Sequence, residues 1–290
     1  MIEVRPFGQI NKHPVYEVIL TNANGMYVSS CTLGCIITAI ATPDSKGIIE
    51  NVVCSFDTAE KYKQYPQFFG AAIGPFAGRL EDATLEINGV SFQARANEGH
   101  HLLHGGNDGF HNQLWQFETG VSSRGQFVKY FLNFESVDFP GKLNMSITYT
   151  LTAGNELIIS YEGISDTDTI LNCTNHSYFN LSGNLKRTIE EHALKFSSRG
   201  MLYIDERGLP LGNIENVVGT ILDFNDKKYL KEVIGSNSTQ VKLASGGIDH
   251  PFLLEKNEIE LSEEESGRKL IIITDEQALV VYTGSKISSG

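Results

Sequence analysis

Short β-type segments follow one another along almost the whole chain, separated by turn residues. The clearest unit is Thr84-Leu85-Glu86-Ile87, then Asn88-Gly89, then Val90-Ser91-Phe92-Gln93. Apolar residues alternate on both arms, and Asn-Gly supplies the two positive φ angles of a type I′ turn, so a hairpin is predicted here. Strands are also expected at residues 16–20, 128–134, 143–151 and 157–164, with Gly154-Asn155 turning the chain between the last two. Further strands are expected at 170–173, 192–196, 220–224, 270–274 and 279–283. Helical patterns are scarce. One short helix is predicted over 58–64, ending before Pro66, and another over 226–234, capped by Asn225 and closed by Gly235. Many short strands with frequent turns specify an all-β sandwich or barrel. No linker, repeat or low-complexity tract interrupts the pattern, so residues 1–290 are expected to form a single domain.

At 290 residues and 41% hydrophobic, the chain can bury a large core. Its net charge of −12 leaves no basic footprint for nucleic acid, and a neutral or cationic ligand fits better than a polyanion. The segment from Met1 to Ile10 lacks the apolar run of a signal peptide. No stretch approaches the roughly 18 apolar residues of a membrane helix. A cytoplasmic location with no membrane partner is therefore expected. Cys31, Cys35, Cys54 and Cys173 are sparse for disulfides, and Cys31-x3-Cys35 has no second pair for a metal, so buried thiols are expected.

His100, His101 and His104 cluster, but HExxH, facial-triad and CxxC spacings are all missing, so no metal is assigned. Gly74-Pro75-Phe76-Ala77-Gly78-Arg79 lacks the Lys-Ser/Thr that finishes a phosphate loop. No Gly-x-Ser-x-Gly elbow supports serine hydrolysis. Arg79 reads equally as half of a surface ion pair or as a multi-donor fork for a polar ligand. His176 by itself reads as a structural histidine, and Asp249-His250-Pro251-Phe252 as a turn in which Asp249 bonds its own backbone. Two histidines meeting in one pocket would suit proton transfer to and from a neutral polar substrate.

Taken in order, the segments change that reading. They are Gly78-Arg79-Leu80, the Asn88-Gly89 hairpin, Asn97-x-Gly99, Leu103-His104-Gly105-Gly106, Gly109-Phe110 and Trp115. After these come Phe139-Pro140-Gly141, Tyr149-Thr150-Leu151, Thr174-Asn175-His176-Ser177-Tyr178-Phe179-Asn180-Leu181, Gly247-x-Asp249-His250-x-Phe252 and Tyr282-Thr283-Gly284. From about Gly74 onward this series resembles the aldose 1-epimerases, also called galactose mutarotases. The resemblance implies a large antiparallel β-sandwich of the galactose mutarotase type with few short helices. It implies interconversion of the α and β anomers of free aldohexoses such as galactose and glucose by acid/base ring opening, without metal or cofactor. Carried over by motif, His176 is the acid at the ring oxygen and His104 bonds near the same atom. Arg79 and Asp249 bind sugar hydroxyls, and Tyr178 and Phe179 wall the pocket, Tyr178 within reach of the sugar. These side chains are expected to line one cleft.

The chain departs from the family pattern in three places. Gly78 stands where Asn often precedes the arginine, and Val280 stands where a polar residue often precedes Tyr-Thr-Gly. The family's general base is a glutamate in a Leu-Glu-Thr-Gln-like segment well beyond Tyr-Thr-Gly. No such segment occurs up to Gly290, and Glu276 lies before the motif, so the base is unassigned and the family's C-terminal segment is expected to be absent. That leaves a sugar-binding or sensing relative with weak catalysis as the alternative. A relative acting on phosphorylated hexoses would need more cationic side chains than Arg79 supplies.

Overall fold

The computed structural model describes residues 1–65 and 67–287, and strands dominate it. Two compact units emerge: residues 1–43 with 49–179, and residues 44–48 with 180 onward.

In the first unit, a five-stranded antiparallel sheet runs in chain order through Ile2–Ile10, His13–Thr21, Tyr27–Cys31, Ile37–Pro43 and Ile49–Asn51. A second antiparallel sheet runs through Gln116–Val121, Gln126–Ser136, Phe139–Leu151 and Leu157–Ser165. Its central register pairs Val128 with Tyr149, Tyr130 with Ile147 and Phe134 with Leu143, all buried. Period-two alternation places these pairs on one face, where cross-strand contacts stabilise the sheet. A phenol buried there needs a partner for its hydroxyl. Tyr130 meets Ser30 at 2.8 Å, and Tyr149 donates to the Cys35 carbonyl at 2.7 Å, so both phenols tie this sheet to the chain of the first. The Asn88-Gly89 hairpin forms as predicted, with φ of 52° and 77° and Ile87 paired with Val90. The short helix Ala59–Gln64 is capped by Thr58, close to its expected bounds.

The second unit holds two four-stranded sheets. One orders Lys228–Tyr229, His192–Phe196, Glu258–Glu263 and Arg268–Ile273. The other orders Pro210–Asn216, Gly200–Ile204, Asp249–Leu253 and Ala278–Tyr282. Their core centres on Phe196, Phe224 and Phe252, with ring centroids 5.0–6.0 Å apart.

Four expectations fail locally. Residues 226–234 form no α-helix. Asn225 bonds both backbone groups of Ser198, and Lys228–Tyr229 pair with Leu194 and Ala193 before one 3₁₀ turn, Leu230–Glu232. Residues 170–173 are not a strand, because the Asn172 backbone bonds the loop at Pro75 and Ala77. Residues 220–224 turn instead, with the Asp223 carboxylate accepting from the Gly219 and Asn225 N–H groups. Asp249 opens a strand rather than a turn. Cys31 and Cys35 are buried thiols, as expected, whereas Cys54 and Cys173 are free thiols that are only half-buried. No helix among the described residues is long and apolar enough to cross a membrane.

Candidate active site

Both histidines lie in the first unit, each placed by a two-residue ladder. Thr174–Asn175 pairs antiparallel with Ala72–Ile73, and His176 continues that line. Its N–H donates to the Ala71 carbonyl at 2.8 Å, and its carbonyl accepts from Gly70 at 3.0 Å. The flanking Asn and Ser explain themselves. Asn175 Nδ2 donates to the Gly70 carbonyl, while its Oδ1 accepts from both the backbone N–H and the hydroxyl of Ser177. Gly70 has φ of +66°, and a Cβ there would stand 2.1 Å from the Ile37 carbonyl oxygen. Only glycine fits so close a backbone approach.

His104 leaves the other ladder, in which Leu102 pairs with Leu80 and Leu103 with Arg79. Asn97 clamps Leu103 by accepting from its N–H and donating to its carbonyl. His104 then turns into the left-handed region at φ of 54°, followed by Gly105 at 80° and Gly106 at 73°. A Cβ on Gly105 would lie 2.1 Å from the Gly74 carbonyl oxygen. The His104 N–H donates to the Gly78 carbonyl at 3.0 Å, and the Gly78 N–H donates to His104 Nδ1 at 3.1 Å. A backbone N–H can only donate, so Nδ1 must accept. In the neutral ring the proton therefore sits on Nε2.

The two ladders bring the rings of His104 and His176 to 5.2 Å between centroids, edge to face. Tyr178 packs at 5.0 Å from His176, and Phe69 meets Tyr178 edge to face at 4.9 Å. Burial pushes His104 well below the usual 6.5, and electrostatic interactions with the His176 and His111 rings and with the Arg79 guanidinium push the same way. Burial also lowers His176, against an opposing bond to its own backbone. Both half-buried rings thus favour the neutral form.

Two aromatic neighbours carried no sequence signal. Phe68, at an unusual φ of 59°, sets its ring 4.9 Å from His104, 5.0 Å from His111 and 5.9 Å from His176. His111 is itself held down to about 4 by burial. Its Nε2 meets Asn112 Nδ2 at 2.9 Å. Arg79 sits beside His104 through the ladder, and its guanidinium is mostly buried in a two-point pair with Glu98. Arg79 is therefore half of an ion pair, as one of its two readings had it, with its own side chain largely covered and the Glu98 side chain more exposed. Asp249 lies in the second unit, where its N–H donates to His250 Nδ1 and Lys286 Nζ stands 4.0 Å from its carboxylate. A groove of about 540 Å³ in the first unit, lined by Phe139, Pro140, Gly141 and Asp166 among others, includes neither histidine. Among the described residues, no group of three or more His, Cys, Asp and Glu side chains is arranged to hold a metal.

The sequence is 32% identical to the aldose 1-epimerase of Haemophilus influenzae, across 99% of this chain and 84% of that protein. It is 32% identical to the galactose mutarotase of Bos taurus, across 93% of this chain and 78% of that protein. The fold matches the crystal structure of galactose 1-epimerase from Lactobacillus acidophilus NCFM with a TM-score of 0.88 at 30% identity, covering 99% of this chain and 83% of that one. The aldose epimerase homologue from C. elegans follows at 0.84 and 26%, covering 93% and 82%. A family model described as aldose 1-epimerase matches residues 16–289, and the chain belongs to that family.

Proposed function

We propose that this protein is an aldose 1-epimerase that interconverts the α and β anomers of free aldohexoses such as galactose and glucose. The reaction needs two coordinated proton transfers. A base takes the proton of the C1 hydroxyl while the C1–O1 bond becomes a carbonyl. The bond between C1 and the ring oxygen breaks, and that oxygen takes a proton from an acid. Rotation about C1–C2 and the reverse sequence give the other anomer, and both groups recover their original protonation.

His176 is the proposed acid at the ring oxygen, acting as its imidazolium, the form that burial makes the minor one at neutral pH, and returning to the neutral ring on transfer. His104 offers the same oxygen its Nε2–H, a donor that cannot wander to the other nitrogen while Gly78 occupies Nδ1. Preorganised donors of this kind stabilise charge where it develops, without reorganisation at the moment of reaction. Arg79, Tyr178 and Asp249 are proposed to bind sugar hydroxyls, and the base is left unassigned. The reading keeps residues 1–290 as a single domain working in the cytoplasm on a small sugar.

The observation that carries the proposal is the edge-on pair of histidines, 5.2 Å apart, in a member of this family. The test follows the optical rotation or NMR anomeric signals of freshly dissolved α-galactose. His176→Ala should lower kcat by about two to four orders of magnitude, the usual worth of a positioned acid. An unchanged kcat removes His176 from the mechanism. Absence of any acceleration by the unmodified protein, with galactose still bound, replaces the enzyme reading by a binding one.

A further inference from the structure

We infer that Glu98 is a positioning and specificity-determining residue. It aims Arg79 at the sugar and cancels its charge, so that the site takes neutral hexoses and discriminates against anionic ones. The inference rests on the reading of Arg79 as a hydroxyl-binding residue.

Arg79 Nε and Nη2 donate to the two carboxylate oxygens of Glu98, the second at 2.9 Å. This fork-to-fork geometry fixes the plane of the guanidinium as well as its place. The arginine side chain is 14% exposed and the glutamate 41%, so the cation is covered while the carboxylate borders solvent. The segment that carries Glu98 is itself fixed. Glu98 and His101 exchange backbone hydrogen bonds of 3.1 and 2.9 Å, His101 Nδ1 accepts from the Asp82 N–H, and Asn97 clamps Leu103. Leu103 precedes His104 and pairs with Arg79. One short stretch of chain, residues 97–104, thus delivers both the donor histidine and the carboxylate that holds the arginine.

The charge balance has a consequence for substrate choice. A lone buried guanidinium would attract a phosphate or carboxylate on the ligand. The pair with Glu98 is neutral as a unit, so the site offers guanidinium N–H donors, which suit hydroxyls, without a net positive charge.

The test measures KM for galactose and the competitive Ki of galactose 6-phosphate in the full chain. Glu98→Gln keeps the shape and one acceptor but removes the charge, and Glu98→Asp keeps the charge on a shorter arm. Glu98→Gln should raise the galactose KM several-fold, with kcat within about twofold. It should also lower the ratio of the galactose 6-phosphate Ki to the galactose KM about tenfold, the scale of one unit charge at a protein surface. That drop should shrink as salt is added. Glu98→Asp should raise KM and leave the ratio near its original value. A ratio unmoved by Glu98→Gln overturns the inference, because a purely structural role would shift KM alone. Arg79→Met separates the underlying reading. If it leaves the galactose KM unchanged, Arg79 binds no sugar. If it raises KM while Glu98→Gln leaves the ratio intact, Arg79 stands and Glu98 falls.

Discussion

A neutral imidazole donates from one nitrogen only, and at His104 the backbone decides which. The Gly78 N–H occupies Nδ1 through a turn that needs three successive left-handed residues, His104, Gly105 and Gly106. Left-handed backbone costs most residues about 1 kcal/mol or more, so the motif concentrates its glycines where that cost would recur. The expected outcome is a His104 ring that is the Nε2–H tautomer at pH 7 and stays neutral well below pH 6.5, because burial disfavours the imidazolium. Nitrogen-15 chemical shifts of the labelled ring check both points. A protonated Nδ1 at pH 7, or titration at or above 6.5, contradicts the donor role. The two histidines were legible in the sequence because each lies in a motif with its own local supports, Asn97 and Gly105 for one and Asn175 and Ser177 for the other. Phe68, His111 and Glu98 were not. Each meets the site through contacts distant in sequence, and the positive φ of Phe68 contradicts its residue type.

Elements were legible where their causes are local. The Thr84–Ile87 and Val90–Gln93 hairpin follows from alternation plus a turn dipeptide. A Cβ added to Gly89 would meet no heavy atom within 4 Å, while its φ is +77°. Gly89→Ala should therefore destabilise by about 1–2 kcal/mol through backbone strain alone, read as a shift of the urea midpoint with an unchanged slope. No loss of stability would mean that the turn relaxes to another type. The segment 226–234 shows the opposite case. Asn225 looked like a helix cap, but its amide closes on Ser198, 27 positions earlier, and the following residues join a sheet. The short helix Thr239–Leu243 went unread for the same reason. Gln240 earns its place there by bonding both backbone groups of Ile204 and the ring of His250, partners that a local pattern does not reveal.

Across the whole molecule the buried and half-buried histidines set a direction for stability against pH. His104, His111, His176, His192 and His250 are all held below the ordinary 6.5, in each case first by burial, with His111 and His250 near 4. An unfolded histidine titrates near 6.5, so between that value and the folded ones the unfolded chain binds more protons. Stability is then complete above about 6.5 and is lost as pH falls toward 4. A second loss comes lower. Burial opposes ionisation of Asp138 and Glu263, yet bonds from Arg95 and from Ser266 and Arg187 outweigh it and keep both carboxyls low. Their contribution persists until pH drops through those lowered values. A competing effect runs the other way, since acid relieves the self-repulsion of a chain with net charge −12 and pI near 5.1. Salt screens that repulsion over about 8 Å at physiological strength, while buried rings are screened far less, so the histidines should win. Urea unfolding at fixed salt should show free energy falling steadily from pH 7 to 4.5. His250 is the cleanest probe. Its Nδ1 accepts from the Asp249 N–H, its Nε2 meets Gln240 at 3.0 Å, and the ring has no exposed surface. His250→Gln should be less stable at pH 7 through lost packing and hydrogen bonds. Its fall between pH 6.5 and 4 should be shallower by on the order of 2–3 kcal/mol, since each pKa unit is worth about 1.4 kcal/mol. A parent protein whose stability is flat from pH 7 to 5 would show that these rings take up protons while folded, and the neutral donor assigned to His104 would lose its physical basis.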